Sequence, residues 1–195
     1  MKRFIDIFGG LIGFLVLIAI TPFIAIMILL EDGWPIFIQQ RRVSKGKIIN
    51  VYKFRSMVKN AEELKKNLLN KNERSDGPFF KIKNDPRITK VGKFLRRTRL
   101  DEFPQFVNVL KGDLSIVGPR PHEPEEIFQY PERYKKICLE KGGITCLSQV
   151  NEKPFLLFEK EMELDMYYIE HKSLLLDIKI IMKTIEVFLR KPDGI

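Results

Sequence analysis

The hydrophobic pattern opens on one long apolar run. From Ile7 to Leu30 twenty-four residues pass without a charge, where about 20 suffice to cross the hydrocarbon core of a bilayer. The run is too long for the apolar core of a cleaved signal peptide, and no small-x-small cleavage site follows it. Pro22, preceded by Thr21, lies inside it, where proline removes a backbone hydrogen bond and crowds the preceding turn. Lys2 and Arg3 stand before the run, and Arg41, Arg42, Lys45 and Lys47 after it. The positive-inside rule therefore keeps both flanks in the cytoplasm. A helix broken at Thr21-Pro22 that dips into the bilayer and returns meets both observations, and a kinked spanning helix meets the first. The residues alone leave both open.

Beyond the run the periods shorten. Gly33-Trp34-Pro35 reads as a turn with Trp34 suited to the membrane interface. Ile36-Phe37-Ile38 and Ile48 to Tyr52 read as two short strands, joined by the basic connection Arg41 to Lys47 into a small hairpin. Ser56 to about Asn72 predicts a helix with Ala61, Leu64 and Leu68 on one face, ended by the polar stretch Asn70 to Gly77. Val91, Phe94 and Leu95 suggest a short helix bearing Lys90, Lys93, Arg96 and Arg97. Phe103, Phe106, Val107 and Leu110 fall at i, i+3, i+4 and i+7, so Pro104 to Leu110 is predicted helical, with Pro104 in the first turn and Gly112 as the stop. Leu174, Leu175, Ile178, Ile181, Ile185 and Leu189 make a helical stripe from about Ser173 to Arg190, with Lys172, Lys179, Lys183, Arg190 and Lys191 on or near the other faces. Such a stripe packs into a core or lies at a lipid interface. Phe155, Leu156, Leu157 and Phe158 have the same two options. The fold class is mostly α with a small β-hairpin, and no repeat or linker marks a further domain.

Composition narrows the partners. With 195 residues, 45% hydrophobic and 30% charged, one domain is expected. The formal net charge of +9 calls for an anionic partner: nucleic acid, an anionic lipid surface or a phosphorylated substrate. An alternating aromatic and basic array for stacking on nucleic acid is not found. Cys138 and Cys146 are the only cysteines, and His122 and His171 the only histidines, so neither a disulfide scaffold nor a zinc site is expected and the usage suits a reducing compartment. His122 is read as structural or solvent-facing, His171 as surface, and Tyr167 and Tyr168 as packing residues.

The densest chemistry lies in Arg96-Arg97-Thr98-Arg99-Leu100-Asp101-Glu102-Phe103-Pro104-Gln105. Acidic residues at a helix start ordinarily stabilise it by about 0.3 to 1 kcal/mol and do nothing else. Here three arginines precede the pair and Gly118-Pro119-Arg120-Pro121 follows it, which gathers phosphate-binding groups around two carboxylates. A carboxylate beside arginines is expected to stay ionised, as a nucleophile or metal ligand must, and a second one beside it suits Mg2+, a hard ion that bridges phosphates.

Residues 1 to about 190 resemble the small monotopic phosphoglycosyl transferases, the bacterial sugar transferase family that initiates surface glycoconjugate and exopolysaccharide assembly. The resemblance rests on segments in order: Lys2-Arg3-x-x-Asp6, the Thr21-Pro22 break, Lys53-Phe54-Arg55-Ser56-Met57, Asp85-Pro86-Arg87-Ile88-Thr89, Leu100 to Gln105, Asn108-Val109-Leu110-Lys111-Gly112-Asp113 and Val117-Gly118-Pro119-Arg120-Pro121. It implies a ping-pong transfer in which Asp101 attacks the β-phosphate of a UDP-sugar, UMP leaves, and a polyprenyl phosphate, undecaprenyl phosphate in this reading, takes the sugar phosphate. It further implies Glu102 as ligand of a Mg2+ cofactor, with Arg120, Pro121, Arg96, Asp165, Lys53 and Arg55 as substrate-binding residues. Residues 1–32 would form a re-entrant membrane helix and residues 33–195 a cytosolic catalytic domain in one structural unit with it, facing the inner leaflet of the bacterial cytoplasmic membrane, with no nucleic acid partner. The chain departs from the family pattern at residues 141–152: Gly142 stands for a proline, Cys146 for a glycine, Leu147 for a tryptophan and Glu152 for a glycine, with Lys153 as a nearby cation. Gly142-Gly143 is expected to be the more mobile for it. The competing readings are a membrane-anchored basic binding module without catalysis and a glycosyltransferase that moves the sugar alone.

Overall fold

The computed structural model describes residues 2–74, 76–151 and 157–189. Helix α1, Lys2–Asp32, is the apolar run with its flanks. Helical backbone continues past Thr21-Pro22, so the expected interruption is not a gap in the helix. The Thr21 hydroxyl donates to the Leu17 carbonyl at 2.6 Å, one residue before the carbonyl that Pro22 leaves without its amide. Both ends of α1 bond to the same body. At its start Lys2 Nζ donates to the Tyr168 hydroxyl at 2.6 Å and to Asp177 at 2.8 Å, and buried Asp6 accepts the Ile116 amide at 2.9 Å. At its end Glu31 accepts the amides of Lys90 and Val91. Between these anchors Gly13 lies against the Phe106 ring, where a Cβ would come within 2.4 Å. Small residues let helices approach closely where lipid removes the hydrophobic drive between them. The opposite face, including Phe4, Phe8, Leu15, Phe23 and Leu30, is exposed.

After Gly33 (φ 69°) and the cis Trp34–Pro35 peptide comes a hairpin of β1 (Phe37–Ser44) and β2 (Lys47–Phe54), in register from Phe37 opposite Phe54 to Ser44 opposite Lys47. The turn is only Lys45-Gly46, both at positive φ (53° and 68°), as a two-residue hairpin turn requires. The strands are thus longer than the apolar pattern predicts, and most of the supposed basic connection is strand. A two-stranded ribbon leaves its charged residues room outside the core, which hides them from an apolar count.

The next helix, α2 (Ala61–Leu68), with a 3-10 turn at Leu69–Lys71, starts five residues after the predicted Ser56. Residues 56–58 are taken instead by β-type contacts, Met57 with Ile88 and the Val58 amide with the Arg87 carbonyl. Helices α3 (Lys90–Arg97) and α4 (Gln105–Lys111) stand where the periodicity puts them, and Gly112 ends α4 at φ 90°. Fully buried Asn108 ties α4 to the hairpin, accepting the Tyr52 amide at 3.0 Å and donating to the Asn50 carbonyl at 2.8 Å.

A second, unforeseen sheet pairs β3 (Ser115–Val117) with β4 (Gly143–Thr145) in parallel. It corrects the expected freedom of Gly142-Gly143: the Gly142 carbonyl accepts the Ser115 amide at 2.8 Å, the Gly143 amide donates to Pro119 at 2.9 Å, and a Cβ on Gly143 would strike the Gly118 amide nitrogen at 2.1 Å. Around it stand the short helices α5 (Pro124–Ile127) and α6 (Leu147–Val150), the 3-10 segment Glu132–Leu139, and α7 (Phe158–His171).

Helix α8, Leu174–Leu189, divides the residues of its stripe. Leu174, Leu175, Ile178 and Ile185 are exposed, joined by Met182 and Phe188, whereas half-buried Ile181 packs with Ile180 in a core cluster, on the inward side that also carries Asp177 and half-buried Thr184. Asp177 is tolerated there because Lys2 and the Tyr168 hydroxyl (2.6 Å) satisfy its carboxylate. Tyr168 packs as expected, whereas Tyr167 is half exposed and stacks on His171. Phe158 joins Phe79, Tyr130 and Tyr134 in a buried aromatic cluster, and Leu157 is exposed. Phe155 and Leu156, with Glu152, Lys153, Arg190 and Lys191, lie outside the described residues.

His122 completes that cluster, its ring stacked on Phe79 at 4.9 Å. Burial pushes its imidazole down from 6.5 to about 4, against the opposing pull of Glu126. As pH falls below the ordinary 6.5 the unfolded chain therefore takes the proton first; the stability tied to neutral His122 is present above about 6.5 and is lost toward 4. That dependence is worth on the order of 3 kcal/mol at about 1.4 kcal/mol per pKa unit. Urea titrations in detergent at stepped pH should show the loss in wild type and a flattened curve in His122→Phe.

Candidate active site

The site begins with how α3 is held. Thr89 caps it, its hydroxyl accepting the Gly92 amide at 2.9 Å. Gly92 sits so close to the hairpin's end that a Cβ would lie 1.9 Å from the Ser56 carbonyl oxygen. One turn on, Arg96 Nε donates to the Ser56 hydroxyl at 2.9 Å. Arg99 then adopts a left-handed conformation (φ 52°), uncommon for a residue with a Cβ. It swings the chain into a 3-10 turn, Leu100–Glu102, which presents Asp101 and Glu102 just ahead of α4.

Asp101 is buried and Glu102 half-buried. Lys53, reaching from β2, pairs with Glu102 at 2.9 Å. Burial works against the charge of both carboxylates, yet Lys53, Arg120 and Arg99 pull Glu102 down to about 2. Asp101 goes the other way: burial and the charge of Glu102 raise it, with Lys53 and Arg96 only partly offsetting them. The arginines therefore do not set the direction for Asp101: burial first, and then the charge of Glu102, outweigh them. The arrangement is one committed carboxylate and one that binds a proton more readily.

The other sequence-predicted residues divide. Arg96 is part of this cluster; burial lowers its pKa while Asp101 and Asp85 act to raise it. Arg120 is exposed and acts electrostatically on Glu102, and Pro121 next to it packs near Gly142. Asp165 is fully buried beneath that turn, accepting the Arg120 amide at 3.0 Å and the Ser148 hydroxyl at 2.9 Å. Burial pushes it up to about 7 against those two hydrogen bonds. Its contacts make it a holder of the Gly118–Pro121 turn. Arg55 points away from the pair, donating to the Gly33 carbonyl at 2.6 Å beside Asp32 at 3.2 Å. Thr21 and Pro22 belong to α1.

Two contributors escape sequence reasoning. Ser56 was visible only as a member of a motif, and its role depends on a contact with Arg96 forty residues away. Asp85, held by Arg87 through Nε at 2.9 Å and Nη2 at 2.6 Å, reads locally as a turn, yet its charge acts on Arg96. Among the described residues no three His, Cys, Asp or Glu side chains gather as a metal cage. Mg2+ does not need one, since it is commonly held by one or two carboxylates together with substrate phosphates; the half-buried Glu102 carboxylate fits that mode. Cys138 and Cys146 are free thiols.

Comparison with known proteins agrees with the geometry. The profile described as bacterial sugar transferase matches residues 1–191. The chain is 44% identical over 189 residues to galactosyl transferase CpsE of Streptococcus agalactiae, covering 96% of this chain and 42% of the relative. It is 42% identical over 168 residues to the undecaprenyl-phosphate galactose phosphotransferase of Salmonella typhimurium, covering 84% and 35%. It is 34% identical over 191 residues to exopolysaccharide production protein ExoY of Sinorhizobium fredii, covering 94% and 83%. The chain thus spans less than half the length of the first two relatives and most of the third. Match and geometry together establish that the chain belongs to the bacterial sugar transferase family.

Proposed function

We propose that the protein transfers a sugar 1-phosphate from a UDP-sugar to a polyprenyl phosphate through a phosphosugar carried on Asp101. The observation that carries this reading is the pair of adjacent carboxylates on one 3-10 turn, one neutralised by Lys53 and both within the field of Arg96, Arg99 or Arg120. An Asp101 carboxylate oxygen forms a bond to the β-phosphorus; the bond from that phosphorus to the bridging oxygen breaks, and UMP departs with the electron pair. An oxygen of the polyprenyl phosphate then attacks the same phosphorus, and Asp101 leaves as a free carboxylate. Phosphoryl transfer depends mainly on positioning and charge stabilisation, which is what a ring of fixed cations supplies. Mg2+, held by Glu102 with the diphosphate, would add positive charge where negative charge accumulates. Relatives named as an undecaprenyl-phosphate galactose phosphotransferase and as a UDP-glucose:undecaprenyl-phosphate glucose-1-phosphate transferase support the substrate classes.

The membrane geometry follows the same line. A simple span carries the two ends of a 31-residue helix, roughly 46 Å apart at 1.5 Å per residue, to opposite sides of a bilayer, whereas here both ends bond to one folded body. A re-entrant α1 in the inner leaflet of the bacterial cytoplasmic membrane, with the apolar side of α8 resting in the interface, leaves the Asp101 turn on the cytosolic face. UDP-sugars are found on that side, and a lipid phosphate can reach the turn from the leaflet below.

The products decide. Purified protein with Mg2+, polyprenyl phosphate and a panel of UDP-sugars should release UMP; UDP instead would indicate transfer of the sugar alone, and neither product a binding module. Asp101→Asn should lower turnover on the order of a thousandfold or more and abolish the labelled adduct, and a phosphosugar trapped on that variant would overturn the nucleophile assignment. Because Asp101 must lose its proton to attack, activity falls as pH drops through its raised pKa. Lys53→Met removes a charge that holds this pKa down, so the acid limb of UMP release should move to higher pH.

A further inference from the structure

Glu31 and Asp32 are the wrong residues for the end of α1. Helix C-termini carry partial negative charge and favour cations, yet the last turn of α1 holds no basic residue and two acidic ones. Glu31 spends its charge elsewhere. Its two carboxylate oxygens accept the first two amides of α3, Lys90 N at 2.7 Å and Val91 N at 2.8 Å. These are amides no helix can satisfy internally, at the end where an anion is favoured. The Thr89 hydroxyl takes the Gly92 amide and the Thr89 carbonyl takes that of Lys93. The first turn of α3 is thereby fully paired, half of it by a side chain 59 and 60 residues away.

What α3 carries makes this clamp consequential. Leu95 is fully buried against Leu17, Ile24 and Ile28 of α1. Gly92 touches the Ser56 carbonyl, and Arg96 bonds the Ser56 hydroxyl while facing the Asp101 turn. Two walls, α1 and the end of β2, therefore hold α3, and Glu31 fixes it along its axis. We propose that Glu31 is a positioning residue: by tying the first amides of α3 to the end of the membrane helix, it sets the place of Arg96 beside Asp101. This inference rests on the transfer reading above, and couples the seating of α1 in lipid to the reacting carboxylate.

The test uses the full chain in lipid nanodiscs, with Glu31→Ala and Glu31→Asp compared against Arg96→Ala. UMP release is followed at varied UDP-sugar, and amide exchange is followed over residues 88–97 and 105–111. Glu31→Ala should lower kcat by about tenfold, as a small misplacement of a catalytic group does, with KM for the UDP-sugar changed by less than about twofold. Added to Arg96→Ala, the change should cost little more. Exchange over 88–97 should quicken while that over 105–111 stays slow, and Glu31→Asp should restore part of both. Wild-type kcat or wild-type exchange in Glu31→Ala would overturn the proposal. So would a loss of activity that adds in full to that of Arg96→Ala and is not relieved in Glu31→Asp, which marks a merely structural residue. If wild type releases no UMP from any UDP-sugar, the transfer reading fails by itself, and with it the catalytic coupling; the exchange measurement still decides whether Glu31 holds α3.

Discussion

Two carboxylates on consecutive residues cannot both be buried and charged without help, and most of the structure answers that difficulty. The 3-10 turn that brings Asp101 and Glu102 together exists because Arg99 accepts a left-handed backbone. Lys53 comes from a hairpin strand whose register runs unbroken to a two-residue turn. Arg96 comes from a helix pressed onto that strand's end through a glycine, and Arg120 from a turn held from below by Asp165. The cations arrive from separate elements, so the electrostatics of the pair depends on every one of those elements being in register. Charge that is fixed in place beforehand needs no reorganisation when a further charge arrives.

The membrane helix is part of this framework. Lys2, Arg3 and Asp6 at one end and Glu31 at the other are polar groups bonded into the catalytic body. Its apolar residues split into a face that packs on Phe54, Leu95 and Phe106 and a face that stays exposed. Helix α8 adds exposed apolar residues of its own by turning its polar side inward onto Lys2 and Tyr168.

Sequence pattern alone recovers the elements whose signal is local. The apolar run, the arginine-bearing α3, α4 with its glycine stop and the carboxylate pair all announce themselves within a dozen residues. What escapes is decided over distance. The β3–β4 pair rests on three-residue strands too short to show a period. The later start of α2 reflects a bridge to Ile88. The orientation of α8 depends on a lysine at the other end of the chain that makes Asp177 affordable inside. Asp85, Ser56 and Glu31 look like turn, motif and helix-end residues until Arg96 and the start of α3 stand beside them.

The polar fastenings of α1 bear on how such a protein can diversify. An anchor that only supplies hydrophobic length can be exchanged for any other of similar thickness. A helix that must also offer Asp6 to β3, Gly13 to α4 and Glu31 to α3 is constrained at these fixed intervals along its length. Another helix of equal length that lacked those groups would leave the Ile116, Lys90 and Val91 amides without these acceptors.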